Sequence, residues 1–205
     1  MSPDSDRTPS LQPGPLILAS TSAYRRELLA RLGLPFEVCA PGVDETPWPN
    51  ERPADLATRL ALAKAQAVAQ AHPAAVVIGS DQVADLDGQP LGKPGNHERA
   101  VAQLRQQSGR SVVFQTAVAV VCINQQYAQT ALAQVRVKFR SLSDADIQAY
   151  LRAEPAYDCA GSAKSEGLGI ALLERIDSDD PTSLIGLPLM RTCAMLRELG
   201  LRVPA

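Results

Sequence analysis

The sequence predicts an α/β or α+β fold built around a mixed sheet. Three features predict it. Short continuous apolar runs, such as Leu16-Ile17-Leu18-Ala19 and Ala75 to Gly79, are the mark of buried strands. Amphipathic segments of helical period stand between them, first at Leu28, Leu29 and Leu32, then at Leu56, Leu60, Ala63 and Ala67. Two long strand-forming stretches, about 111–123 and 127–140, follow in succession and can bend around such a sheet. A chain of 205 residues accommodates one large domain or two small lobes, with a core that needs no disulfide or metal support.

The elements follow in order. Residues 1–14 are mostly Pro, Ser, Asp and Thr with one Leu, too little apolar surface for order, and read as a disordered tail before a single domain at 15–205. Leu16 to Ala19 is the first strand. Ser22 caps the first helix and Gly33 ends it. Phe36 to Cys39 reads as the second strand, and Pro53 opens the second helix. After the strand at Ala75 to Gly79, Asp87-Gly88 signals a hairpin turn. A two-residue loop there sets Leu86 against Gln89, and the same register carried back sets Asp81 against Pro94, next to Lys93. Asn96 to Ser108 is a helix closed by Gly109. The second long strand ends in strict alternation, Val135, Val137 and Phe139 inward, Arg136, Lys138 and Arg140 outward. Ser143 begins a helix with Ile147, Tyr150 and Leu151 on one face. A Gly-rich loop from Cys159 to Gly169 leads to a strand at Ile170 to Arg175, and Pro188 to Leu199 is the last helix. No internal repeat is visible.

Composition removes several functions. Twenty Lys and Arg against 22 Asp and Glu give a formal charge of −2, which argues against a general nucleic-acid binder. A small anionic ligand needs only a few local cations. The longest apolar run, Ala117 to Ile123, is far short of the roughly 20 residues that span a bilayer. The N-terminus carries Asp4 and Asp6 and no apolar stretch behind a basic start, so no signal peptide is read there. Cys39, Cys122, Cys159 and Cys193 are widely spaced, and the histidines are His72 and His97. Reduced, mostly buried thiols in a cytoplasmic protein fit this pattern better than a zinc site.

Several places can carry chemistry. In Ser20-Thr21-Ser22-Ala23-Tyr24-Arg25-Arg26 a buried strand feeds a helix N-terminus crowded with hydroxyls and arginines. Free amides and the helix dipole suit an anion, and Arg offers paired donors to phosphate; an ordinary N-cap with surface arginines reads equally well. Neither G-x-x-x-x-G-K-[ST] nor G-x-G-x-x-G occurs. Asp81, after Gly79-Ser80, places a carboxylate at a buried strand end, where it needs a partner or a task. A structural ion pair with Lys93 is the plainer alternative. Asp44-Glu45 can hold Mg²⁺ or Mn²⁺ or be an acidic turn. Lys64 flanks the apolar face of its helix, as a snorkelling lysine or one aimed at phosphate. Arg136, Lys138 and Arg140 read as a solvated sheet face.

Together these pieces resemble the Maf family of nucleoside triphosphate pyrophosphatases, from Leu16 to Leu199. The resemblance rests on Leu18 to Leu29, Val43-Asp44-Glu45-Thr46, Leu62-Ala63-Lys64-Ala65, Gly79-Ser80-Asp81-Gln82-Val83, Gly92-Lys93-Pro94, Cys159 to Gly167, and Ile185-Gly186-Leu187-Pro188-Leu189. It implies an elongated, highly curved mixed sheet flanked by helices, with two lobes around a cleft, as in inosine triphosphate pyrophosphatases. It also implies Asp81 as the proton acceptor and Ser20, Arg25, Glu45, Lys64 and Lys93 as anion- and metal-site residues. Glu45 and Asp81 would share a divalent cation, Mg²⁺, Mn²⁺ or Co²⁺. The branch most alike hydrolyses 7-methyl-GTP, and it implies that Tyr24, Gln82 and Glu166 set base choice. Tyr24 is a smaller aromatic than the Trp frequent at that position in the branch. Glu166, an acceptor-only group, would take the guanine N1 and N2 protons, and Tyr24 would stack on the methylated base. The expected activity is hydrolysis of a nucleoside triphosphate to monophosphate and pyrophosphate in the cytoplasm, with a small-molecule substrate, no nucleic acid or membrane, and a homodimer left open. The alternatives are dTTP, UTP or another non-standard nucleotide as substrate, or a non-enzymatic nucleotide-binding regulator of septum formation.

Overall fold

The computed structural model describes residues 14–204, so the expected tail lies, Gly14 apart, outside the described residues. The first half of the described chain runs β1 (Leu16–Ala19), α1 (Ala23–Ala30), β2 (Phe36–Val38), α2 (Pro53–Ala71), β3 (Val76–Leu86) and β4 (Gln89–Leu91). The second half runs α3 (His97–Gln107), β5 (Ser111–Cys122), β6 (Tyr127–Phe139), α4 (Asp144–Ala153), β7 (Leu173–Asp177) and α5 (Leu189–Glu198). The strands form one seven-stranded mixed sheet in the order β2-β1-β3-β5-β6-β7, with β4 also on β3. Strand β1 is parallel to β2 and β3, and the other pairings are antiparallel.

Side-chain alternation along β3 and β5 divides the core into three clusters. Val77, Val83, Ala117, Ala119 and Val121 face α2. Val76, Ile78, Val118 and Val120 face α1 and α5. Farther along that second face, Ala84, Leu86, Val112 and Phe114 face α3 and α4. The two clusters on the second face are separate cores. A polar belt, Ser80, Gln82 and Thr116, divides them, and the loop before α5 sits on it. Gln82 Nε2 donates to Ser183 O and Leu184 O at 2.9 and 3.0 Å, Thr116 Oγ1 donates to Ser183 O at 2.9 Å, and Ser80 Oγ lies 3.1 Å from Gly186 O.

Three expectations are corrected. The strand expected to end at Gly79 continues to Leu86, because β5 pairs with it from Val77 to Asp85. The hairpin does set Leu86 against Gln89, but its ladder stops at Ala84–Leu91. The ladder therefore never reaches Asp81 and Pro94, and the sheet partner of Asp81 is Ala117 of β5, on the other edge of β3. The strand expected at Ile170 begins at Leu173, after a 3₁₀ stretch over Leu168–Leu172. In addition, only Cys122 of the four free cysteines is fully buried. Among the described residues, no helix is long and apolar enough to cross a membrane.

One contact fixes the spacing of α2. A Cβ on Gly79 would lie 2.2 Å from Ala61 O and 2.6 Å from Ala65 N, so the helix rests directly on the bare strand. Gly79→Ala must push α2 away. We expect a loss of at least about 2 kcal/mol in urea unfolding, since overpacking against backbone cannot relax by a rotamer change. Unchanged stability would show that α2 is not held by this contact.

Candidate active site

The sheet has a gap. On the edge of β3 away from β5, β1 pairs only as far as Gly79 and β4 begins only at Ala84. From Ser80 to Val83 that edge has no partner strand. The gap lies at the carboxyl end of β1, where α1 leaves to one face of the sheet and α2 packs on the other. A reversal of this kind is where open α/β sheets bind ligands. Groups from both faces therefore reach Asp81 around the open edge.

From the α2 face comes Lys64. It is 4% exposed, and its neighbours Ala61 and Ala65 are those that touch Gly79. Its Nζ lies 2.7 Å from Asp81 Oδ1 and 2.6 Å from Glu45 Oε1. One buried ammonium thus joins two carboxylates from distant segments, and a merely snorkelling lysine would not be buried. Asp81 is 8% exposed. Its other oxygen, Oδ2, has no hydrogen-bond partner among the described residues and is not sealed from solvent.

The acidic pair divides its work. Asp44 closes a turn, accepting from the Thr46 amide at 2.9 Å and the Thr46 hydroxyl at 2.7 Å. Glu45 turns inward. Arg59 fastens this segment to α2 by donating to Thr46 O and Glu51, with its guanidinium over the Trp48 ring. Burial raises the Glu45 carboxyl pKa, but the Lys64 hydrogen bond, aided by the charges of Lys64, Lys93 and Arg25, outweighs it and holds the group below its ordinary range. Lys93 is exposed yet close enough to act on Glu45.

From the other face comes α1. Ser22 caps it, accepting from Arg25 N, while buried Ser20 accepts from Ser22 N at 3.2 Å. Arg25 Nε donates to Gly186 O at 2.9 Å. Burial pushes its guanidinium pKa down, and the charges of Asp81 and Glu45 oppose that shift. Five segments thus bring Arg25, Glu45, Lys64, Asp81 and Lys93 into one electrostatic cluster, with Ser20 at the end of the adjoining β1.

Two carboxylates on one cation form an oxygen-only donor pair, which suits Mg²⁺ or Mn²⁺. Among the described residues no third His, Cys, Asp or Glu completes a cage. Glu45 and Asp81 would therefore hold such a cation only in part, leaving it free to neutralise phosphate charge.

A family model described as Maf-like protein matches residues 15–199. The chain belongs to the Maf family. Relatives named 7-methyl-GTP pyrophosphatase are similar over most of this Maf chain. One from Polaromonas sp. (strain JS666) is 71% identical over 186 residues, 91% of this chain and 85% of the relative. One from Albidiferax ferrireducens is 69% identical over 188 residues, 92% and 94%. One from Bordetella pertussis is 60% identical over 189 residues, again 92% and 94%.

The three residues expected to set base choice in this Maf chain come from α1, β3 and the loop before β7. Tyr24 lies in the first turn of α1. Its hydroxyl donates to Asp158 Oδ2 at 3.1 Å, and the Lys164 ammonium sits 5.5 Å from its ring centroid. Burial, first, raises the Tyr24 hydroxyl pKa. Gln82 lies on the sheet face opposite Asp81, and its amide nitrogen is occupied by Thr116, Ser183 and Leu184. It touches the site through the 183–186 loop, whose Gly186 carbonyl receives Arg25. Glu166 is exposed, with only the Ser165 hydroxyl 3.4 Å away among its hydrogen bonds to described residues.

Asp158 lies outside the motifs that carry the resemblance, and Lys164 lies inside one of them, the Cys159 to Gly167 loop, without a role assigned from it. Asp158 and Lys164 lie 134 and 140 positions from Tyr24, and only the fold brings that loop to α1. Buried Asp180 also lies outside those motifs. It accepts from the amides of Met190 and Arg191 at 3.1 and 3.3 Å and so caps α5 from outside the helix.

Proposed function

We propose that this chain hydrolyses 7-methyl-GTP to 7-methyl-GMP and pyrophosphate as a cytoplasmic enzyme, with a divalent cation bound between nucleotide and protein. The observation that carries the reaction class is Lys64 bridging Asp81 and Glu45 at the open edge of β3. The methylated base is supported by the relatives of that name at 60–71% identity.

The residues suit attack by water on the α-phosphorus. Asp81 Oδ2 takes a proton from the water, whose oxygen bonds to the α-phosphorus as the α–β bridging oxygen leaves with pyrophosphate. Lys64, Arg25 and Lys93 stabilise the charge gathering on the phosphoryl oxygens. Ser20 and the first amides of α1 hold the phosphate chain. Glu45 and Asp81 would hold the cation, which when bound supplies charge neutralisation and alignment of the phosphates.

The test is pyrophosphate release from a panel of normal and modified nucleoside triphosphates with Mg²⁺, Mn²⁺ and Co²⁺. We expect 7-methyl-GTP to lead dTTP, UTP and CTP, and EDTA to abolish turnover until metal is restored. A preference for dTTP or UTP would end the base assignment. No pyrophosphate from any member would end the enzymatic reading and leave a nucleotide-binding regulator.

A further inference from the structure

We propose that Asp158 is a specificity-determining residue: with the Tyr24 ring it forms the seat for a positively charged N7-methylated base, a seat that the Lys164 ammonium occupies in the structure. This inference rests on the 7-methyl-GTP reading above and adds how the methyl group is sensed.

The argument begins with the cation already there. Lys164 Nζ lies 3.0 Å from Asp158 Oδ1 and 5.5 Å from the Tyr24 ring centroid, while the Tyr24 hydroxyl holds the other oxygen of Asp158 at 3.1 Å. A carboxylate and an aromatic face are thus set for one positive charge, the arrangement that binds cationic ligands. The seat is open to solvent, since the Asp158 side chain is 60% exposed. Tyr24 also stands immediately before Arg25, the residue proposed to hold phosphate, in the first turn of α1.

Lys164 can leave without disturbing the loop. Its amide donates to Tyr150 Oη at 3.1 Å, and a Cβ on Gly169 would meet Lys164 N and O at 2.6 Å. The backbone is wedged, so exchange needs only rotation of a long side chain. Methylation at N7 gives guanine a fixed positive charge; unmodified guanine is neutral. The methylated base can replace the ammonium on both the carboxylate and the ring. Guanine that displaces Lys164 leaves Asp158 without a cation. The seat therefore discriminates by charge, which no neutral hydrogen-bonding edge could do alone.

Two variants test this with opposite signs. Asp158→Asn keeps shape and the acceptor for Tyr24 but removes the charge. It should lower the ratio of kcat/KM for 7-methyl-GTP to that for GTP by about 3- to 30-fold, the span of a cation–carboxylate or cation–π contact from exposed to desolvated settings. Lys164→Met keeps the stem and removes the competing cation, so the same ratio should rise. A structural latch would respond otherwise: both variants break one link and would move the ratio in the same direction or not at all, and either result would overturn the inference. A wild type without preference for 7-methyl-GTP over GTP would overturn the reading beneath it and the inference as well. A wild-type preference that survives both substitutions would overturn the inference alone.

Discussion

Asp81→Asn is expected to lower kcat by at least about 10²-fold with every nucleotide the wild type accepts, the usual scale for losing a general base. The substitution keeps the side chain's size and the acceptor 2.7 Å from Lys64. It removes the group proposed to take the proton from water and half of the oxygen pair that would suit a cation. Folding should survive, because Lys64 keeps Glu45 at 2.6 Å and a buried charge is removed rather than created. The check is pyrophosphate release by a variant whose thermal melt stays cooperative and within a few degrees of the wild type. A folded variant with near-normal turnover would remove Asp81 from the chemistry and leave the ion pair as scaffolding.

The architecture was legible where burial imposes a period. The run from Leu16 to Ala19, the amphipathic α2 and the alternation ending at Phe139 all lie where the sequence places them, because β1 is buried on both faces while α2 and the end of β6 each bury one. Boundaries failed where partners decide. The continuation of β3 past Gly79 depends on β5, more than 30 residues later, and no local pattern announces it. The open edge, which lets two faces of the sheet meet at Asp81, is a consequence of where β1 and β4 stop.

The candidate site divides in the same way. Residue types at strand ends and helix flanks singled out Asp81, Lys64, Glu45 and Arg25, since charge there needs a partner or a task. What spacing could not say was that one ammonium serves two carboxylates. Nor could it separate Asp44 from Glu45, a matter settled by which one Thr46 engages. Gln82 shows the opposite hazard. Adjacent to Asp81 in sequence, it points through the sheet to the other face, because side chains alternate along a strand.

Lys64→Met tests the pairing itself. Methionine replaces the unbranched stem but leaves Asp81 and Glu45 facing each other with no cation between them. The loss of stability should be about 3 kcal/mol, the low end for orphaning a buried charge, since the Glu45 side chain is 58% exposed and partly solvated. Turnover should fall by about 10²-fold or more, as for removal of one preorganised donor to transition-state charge. The more telling readout needs no nucleotide. A divalent cation held by those two oxygens would have to compete with Lys64 in the wild type and would have them to itself in the variant. Added Mg²⁺ or Mn²⁺ should therefore raise the melting temperature of Lys64→Met more than that of the wild type at equal metal concentration, because ligand that binds only the folded state stabilises it in proportion to its affinity. Equal shifts in the two proteins would place any metal elsewhere. A larger shift in the variant that disappears when Glu45→Gln is added would identify the carboxylates that Lys64 joins as the pair able to hold the ion.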